Sequence, residues 1–191
     1  MSSTFFTADT HFGHRSVLSM CNRPFANIDD HDRVMIENWN AVVRPGDTIY
    51  HLGDFAYRCG PQQTRTVFDQ LNGEKHLVVG NHDFRNETQH LPWASINELI
   101  EVEVEGTTFV LCHYGLRSWR NMRRGAVNLF GHSHGRLPGT NQCIDVGVDN
   151  VGYVPVDAQT IRARLAELPQ LIFLDYTDDE PAMMLPTSAN V

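Results

Sequence analysis

A layered α/β fold is the architecture this chain predicts, and three observations predict it. Short apolar runs alternate with helical stretches along most of the 191 residues. Strand after strand, the apolar run stops and Gly, Asp, Asn or His follows at once. A hydrophobic fraction of 41% is enough for one sizeable core.

The elements follow in order. Ser3–Ala8 reads as a buried strand that ends at Asp9. Asp29–Val43 reads as a helix, with Val34, Ile36, Trp39 and Val42–Val43 apolar and Asp29 or Asp30 as its cap. Asp47–Leu52 is the next strand, Pro61–Leu71 the next helix and His76–Val79 a third strand closing on Gly80. From Leu99 the pattern changes: Ile100, Val102 and Val104 alternate with Glu101, Glu103 and Glu105, and Gly106 turns the chain into Thr107–Cys112. That is a hairpin with one face in water. Val127–Phe130 and Ile144–Val148 are short strands. Asp157 caps a helix to about Glu167, and Leu171–Leu174 makes a last strand. Residues 1–174 are read as one domain, followed by a loosely held, acidic and Pro-containing tail over 175–191.

Composition narrows the function. A formal charge of −8 argues against indiscriminate nucleic-acid binding by the whole surface and leaves room for a local basic patch. No run reads as a membrane span and the N-terminus lacks a secretory leader. Cys21, Cys59, Cys112 and Cys143 form no CxxC pair, which fits a reducing cytoplasm. Ten histidines are many for this length, and several sit beside Gly, Asp or Asn. Lys75 is the lone lysine. Base composition accounts for that bias, while arginine forks also suit phosphate where they reach a site.

The polar groups at the strand ends carry the chemistry. Asp9 and His11 follow the first strand, Gly53–Asp54 the second and Gly80–Asn81–His82–Asp83 the third. His113 follows the hairpin, and Gly131–His132–Ser133–His134 the strand after it. Each fragment alone reads as a turn, a cap or a satisfied histidine. All of them in order, each at a strand end where layered α/β folds bind ligands, read as one site. Carboxylate, imidazole and amide oxygen together suit Mn²⁺, Fe²⁺, Zn²⁺, Co²⁺ or Ni²⁺. Asp9, His11, Asp54, Asn81, His113, His132 and His134 exceed the needs of one tetrahedral ion, so two ions are the economical reading. A bridging carboxylate then holds them ~3.5–4 Å apart. Asp54 is the natural bridge, and Gly53 before it permits a tight turn.

These blocks resemble the calcineurin-like metallophosphoesterase superfamily, whose pattern runs D-x-H, G-D, G-N-H-D/E, H and G-H-x-H. They stand here as Asp9-Thr10-His11, Gly53-Asp54, Gly80-Asn81-His82-Asp83, His113 and Gly131-His132-Ser133-His134. The strings TADTHFGH, YHLGDF, VGNHD, CHYGLRSW and LFGHSHG resemble a compact bacterial and phage subgroup. The match runs from about Thr4 to Asp157. The resemblance implies a four-layer sandwich, two mixed β-sheets flanked by helices. It implies a first metal on Asp9, His11, Asp54 and His134 and a second on Asp54, Asn81, His113 and His132, with Mn²⁺ favoured. It further implies that His82 contacts substrate and leaving group, with Asp83 orienting its imidazole. A metal-bridging hydroxide would attack phosphorus in line with the leaving oxygen.

Around this centre, His14 and Arg15 are candidate phosphate contacts, and Arg23 a more distant one. Arg117, Arg120 and Arg124 would share a face if their segment were helical, making an anion patch just after His113. Trp119 is then a stacking platform or a core residue. Asp145 and Asp149 read as polar ends of a core strand, and His31, His51, His76 and His90 receive no role. The expected substrate is a phosphate mono- or diester, with a nucleotide or single-stranded nucleic acid favoured. The alternatives are a slow metal-dependent nucleotide-binding protein and a scaffold of the same fold. Scaffold relatives lose the histidine that stands here as His82.

Overall fold

The computed structural model describes residues 2–85 and 87–172. The tail over 175–191 and the end of the expected last strand, 173–174, lie outside the described residues. Leu171 and Ile172 are described and form no strand. In chain order the first elements are β1 (Thr4–Thr7), α1 (Val17–Met20), α2 (Ile28–Val42), β2 (Thr48–His51), α3 (Pro61–Gln70), β3 (Glu74–Val78) and β4 (Ser95–Asn97). Then follow β5 (Leu99–Val104), β6 (Thr107–Cys112), β7 (Val127–Phe130), β8 (Cys143–Asp145), α4 (Val148–Val151), β9 (Val156–Asp157) and α5 (Ala158–Ala166).

Two mixed sheets flanked by helices result. The first has the order β4-β3-β2-β1-β9, parallel except for the antiparallel β1–β9 pair. The second has the order β5-β6-β7-β8, with an antiparallel β5–β6 hairpin and parallel pairs beyond it. β1 can be apolar on both faces because both are covered. Phe5 enters a cluster with Met35 and Trp39 of α2 and Val67 and Phe68 of α3. Phe6, pointing the other way, meets Phe109, Leu111, Val127 and Leu129 of the second sheet and Ile161 and Leu165 of α5.

Helix starts follow local chemistry. The cap of α2 falls on Asn27, whose side-chain oxygen accepts from the Asp30 amide at 2.9 Å, rather than on Asp29 or Asp30. Those two aspartates occupy the first turn, where they complement the helix dipole. α3 opens with Pro61, whose missing N–H is not needed there. Asp157 caps α5 as its position predicts, accepting from the Thr160 amide at 2.7 Å.

Two departures from the sequence reading shape the site. The expected strand Ile144–Val148 stops at Asp145, and Val148 instead opens α4. Here the chain crosses between sheets: Gly147 bridges to Ala8, and the Val148 amide donates to Ala8 O at 3.0 Å. The arginine segment after His113 is not a helix; its one regular piece is a short 3-10 turn, Met122–Arg124, entered through Asn121 at φ 59°. The shared face of Arg117, Arg120 and Arg124 is therefore not built. Among the described residues, no helix is long and apolar enough to cross a membrane.

Candidate metal centre

The motif loops are stitched together beyond the strand ends. The Asp9 amide donates to Gly53 O, the His11 amide to Asp54 O and the Phe12 amide to Phe55 O, at 3.0, 3.0 and 2.9 Å. In the second sheet the Gly131 amide donates to His113 O at 3.0 Å. Between the sheets, both Asp9 carboxylate oxygens accept from the His132 amide, at 3.1 and 2.9 Å.

Asp54 lies at the middle. Its Oδ2 is 3.6 Å from His11 Nε2, 3.7 Å from His113 Nε2 and 3.9 Å from His82 Nε2. Its Oδ1 accepts from the His82 amide at 2.8 Å. Asn81 Oδ1 is 3.0 Å from His113 Nε2. Ligand atoms of Asp9, His11 and His134 fall within 4.8 Å of one another, and so do those of Asp54, His113 and His132. His11, Asp54 and His82 also meet that distance.

Two of the imidazoles carry a proton on the side away from the centre. His113 Nδ1 donates to Leu52 O at 2.7 Å, and His134 Nδ1 to Asp149 Oδ2 at 2.6 Å. Each ring thus places a proton on Nδ1 and turns Nε2 inward, the atom that would meet an ion. His11 Nε2 is buried without a hydrogen-bond partner, an arrangement that ordinarily destabilises a fold. Burial holds both His11 and His113 below the usual imidazole pKa, and so neutral. Burial, and then the nearby Asp145 and Asp54 carboxylates, push Asp9 well above the usual carboxylate range. A divalent cation among these groups would reverse that cost. The donor set fits such an ion.

Backbone strain collects on the same residues. Asp9, His11, Asp54, His132 and His134 all adopt left-handed φ, between 49° and 64°. Asp, Asn and His tolerate that region better than most side chains, yet each instance has an energetic cost. Gly53 has φ 93°, and a Cβ there would lie 2.5 Å from His113 Nδ1. Gly80 leaves room for Asp54, since its Cβ would lie 2.4 Å from Oδ1.

The remaining expected residues divide. His82 is placed at the centre, with a side chain 31% exposed and its ring against Tyr57 at 4.2 Å between centroids. Asp83, expected to orient the His82 imidazole, is instead a loop fastener. Its fully buried carboxylate accepts from the Gly80 and Asp54 amides at 2.8 Å and from the Phe55 amide at 3.2 Å. Burial pushes its pKa up to about 7. His14 is buried beneath His11 rather than open to substrate: the two Nδ1 atoms are 3.3 Å apart, and His14 Nε2 meets Ser16 Oγ at 3.0 Å. Its pKa is lowered to about 4 by burial. Arg15 and Arg117 are exposed. Arg120 is exposed and 3.6 Å from Glu101. Trp119 donates from Nε1 to Ala126 O, anchoring its loop.

Several residues that hold the site were given another role, or none, by the sequence reading. Arg23, only 4% exposed, donates to Asp9 O at 2.7 Å, Thr10 O at 3.0 Å and both oxygens of Asp149 at 2.8 and 2.7 Å. It is no phosphate contact. Asp145 accepts from Ser133 Oγ and from the amides of Gly135 and Gly147, shaping the loop that carries His132 and His134. His51 Nε2 meets Thr10 Oγ1 at 2.9 Å, and that hydroxyl donates to Phe55 O at 2.8 Å, joining two ligand loops. Asp145 and Asp149 did carry the same signal as the ligands, polar residues where an apolar run ends. Arg23 and His51 carried none.

The comparisons with known proteins bear on the family and the fold. The chain is 31% identical over 169 residues to MJ1445, an uncharacterised protein of Methanocaldococcus jannaschii, covering 84% of this chain and 90% of that one. It is 33% identical over 85 residues to the gene 66 protein of Mycobacterium phage L5, covering 44% of this chain and 41% of that protein. Among solved structures, AQ665 of Aquifex aeolicus, a protein of unknown function, superposes with a TM-score of 0.68 at 23% identity. That superposition covers 86% of this chain and all of AQ665, and it shows the shared fold. The model of the calcineurin-like phosphoesterase superfamily domain matches residues 5–163. The chain therefore belongs to the calcineurin-like phosphoesterase superfamily, hydrolases that act on phosphate esters.

Proposed function

We propose that the chain hydrolyses phosphate mono- or diesters, nucleotides or nucleic-acid-like substrates above all, with two divalent ions held by the seven strand-end residues. The family carries the divalent metals; their number and the substrate are our reading. The supporting observation is Asp54 Oδ2, placed within 3.6–3.7 Å of imidazole nitrogens from both sheets, His11 and His113. Asp9, His11, Asp54 and His134 would hold one ion, and Asp54, Asn81, His113 and His132 the other. The mixed oxygen and nitrogen donor set suits Mn²⁺, Fe²⁺, Zn²⁺, Co²⁺ and Ni²⁺ alike, and of these Mn²⁺ is the one we favour. When bound, such ions lower the pKa of a shared water and neutralise phosphoryl charge.

The chain's own residues do the rest. His82 faces the centre from a half-exposed position beside Asp54, so its imidazole can meet a phosphoryl oxygen or give a proton to the leaving oxygen. Asp83 keeps the Asn81–His82 turn closed against Asp54. His14, with Nδ1 3.3 Å from His11 Nδ1, would accept that ligand's proton and leave His11 Nε2 for the ion. Arg117 and Arg120, exposed after His113, supply positive charge for further phosphates of a longer substrate.

The test is metal-free protein reloaded with Mn²⁺ and assayed on p-nitrophenyl phosphate, bis-p-nitrophenyl phosphate, a 2′,3′-cyclic nucleotide and single-stranded DNA. Hydrolysis that follows metal content, reaching its maximum at two equivalents, is expected. Full loading without turnover of any of the four would leave a metal-dependent binding protein instead.

A further inference from the structure

The rim of the centre carries two tyrosines, and their surroundings differ. Tyr57 is enclosed: its ring lies 4.2 Å from His82 and 4.6 Å from His14, with the Arg58 guanidinium 5.2 Å above it. Tyr114 is held on one side only. Its ring meets His132 at 4.8 Å and His113 at 5.0 Å, both edge-on, and the residue is 45% exposed. An aromatic ring fixed against two candidate metal ligands while nearly half of it faces solvent is a pre-formed platform. Its orientation is set before any substrate arrives, which limits the entropy lost on binding.

What such a platform recognises follows from its chemistry. A planar, polarisable group stacks on it, and every nucleobase offers such a face. A group stacked on Tyr114 lies beside His132 and His113, so a phosphate attached to it through a sugar falls at the centre. Three positions along the chain stands Arg117, exposed and within about 10 Å of extended backbone, where it can meet a neighbouring phosphate. A substrate with a base on one side of the scissile phosphate and further phosphates beyond matches this order. We propose that Tyr114 is the base-stacking residue of the site and selects nucleoside phosphodiesters over simple alkyl phosphodiesters. The proposal rests on the phosphoesterase reading above.

The experiment compares two diesters that share a leaving group, thymidine 5′-(p-nitrophenyl phosphate) and methyl p-nitrophenyl phosphate, on Mn²⁺-loaded protein. The expected ratio of kcat/KM is about tenfold or more in favour of the nucleoside ester, within the range of base–aromatic stacking. Tyr114→Ala should bring the ratio close to one, and Tyr114→Phe should retain it, because the ring and not the hydroxyl stacks. Metal content is measured in both variants. In ligand-observed NMR, the base proton H6 of thymidine 5′-monophosphate should shift upfield with the unaltered protein and not with Tyr114→Ala. Equal loss on both esters would make Tyr114 a support for His113 and His132 and overturn the proposal. So would turnover of both esters without a nucleoside preference, which leaves the phosphoesterase reading standing. Failure to hydrolyse either ester with metals bound overturns the proposal, and p-nitrophenyl phosphate assayed alongside shows whether the phosphoesterase reading stands as a monoesterase.

Discussion

Arg23 and Asp149, 126 positions apart in the chain, meet in a two-point ion pair, Nε to Oδ1 at 2.8 Å and Nη2 to Oδ2 at 2.7 Å. The pair joins two candidate ligands of one ion. Arg23 also holds the Asp9 carbonyl, and Asp149 also accepts from His134 Nδ1. Arg23→Lys keeps the charge but loses the planar fork. With Mn²⁺ as the probe, the variant should bind one of the two proposed ions about 10- to 100-fold more weakly, the range for altering partners of metal ligands. Metal titration of the apo-protein reads this directly, and unchanged affinity at both sites would dismiss the brace.

Asp54 is the one side chain proposed to touch both ions. Asp54→Ala should therefore lose both metals and activity together, whereas Asn81→Ala should keep the first ion and weaken the second. Elemental analysis after reloading and desalting separates the two outcomes. An Asp54→Ala protein with two ions and most of its turnover would end the bridging assignment.

His82 is predicted to act in chemistry rather than in metal binding. His82→Ala should keep two ions and lose kcat by ~10²-fold or more on an alkyl phosphate ester. The loss should shrink on p-nitrophenyl esters, whose leaving group needs little protonation. Since His82 Nε2 lies only 3.9 Å from Asp54 Oδ2, metal content decides between roles. Loss of an ion in the variant would make His82 a ligand.

His51 should make stability depend on acid. It is fully buried, and burial, with a smaller effect from His113, lowers its pKa to about 3. In the unfolded chain an imidazole titrates near ~6.5. Its contribution is thus present above pH ~6.5 and is lost as pH falls toward 3, because only the unfolded state takes up the proton. Other buried histidines act in the same direction, so a difference is needed. Relative to His51→Gln, the unaltered metal-free protein should lose roughly 2–3 kcal/mol between pH 6.5 and 4.5. Urea unfolding at the two pH values measures it, and parallel curves would mean that His51 protonates without unfolding.

The layered fold and the ligand blocks were legible because both are local. β1, β2, β3, β6 and β7 announce themselves as apolar runs with buried faces, and each ends where a polar residue must turn the chain. The short β4 and β9, of three and two residues, carry no pattern long enough to read. The expected strand to Val148 failed because the chain there leaves one sheet for the other, and that crossing depends on Ala8 being beside Gly147. Arg117, Arg120 and Arg124 share no helical face because Asn121 adopts φ 59° and Trp119 ties its loop to Ala126.

By itself, the sequence named the candidate metal donors, since carboxylate, amide and imidazole at strand ends can be read whatever their distances. Only the tertiary structure decided how those donors are held. Asp83 was paired with His82 on the family resemblance, yet three amides from two loops converge on its carboxylate once the chain is folded. Arg23, His51, Asp145 and Asp149 act on residues between 12 and 126 positions away. Periodicity and spacing report only what neighbours in the chain do to one another. A buried polar group must find its partner wherever the fold places one, and that partner is chosen in three dimensions.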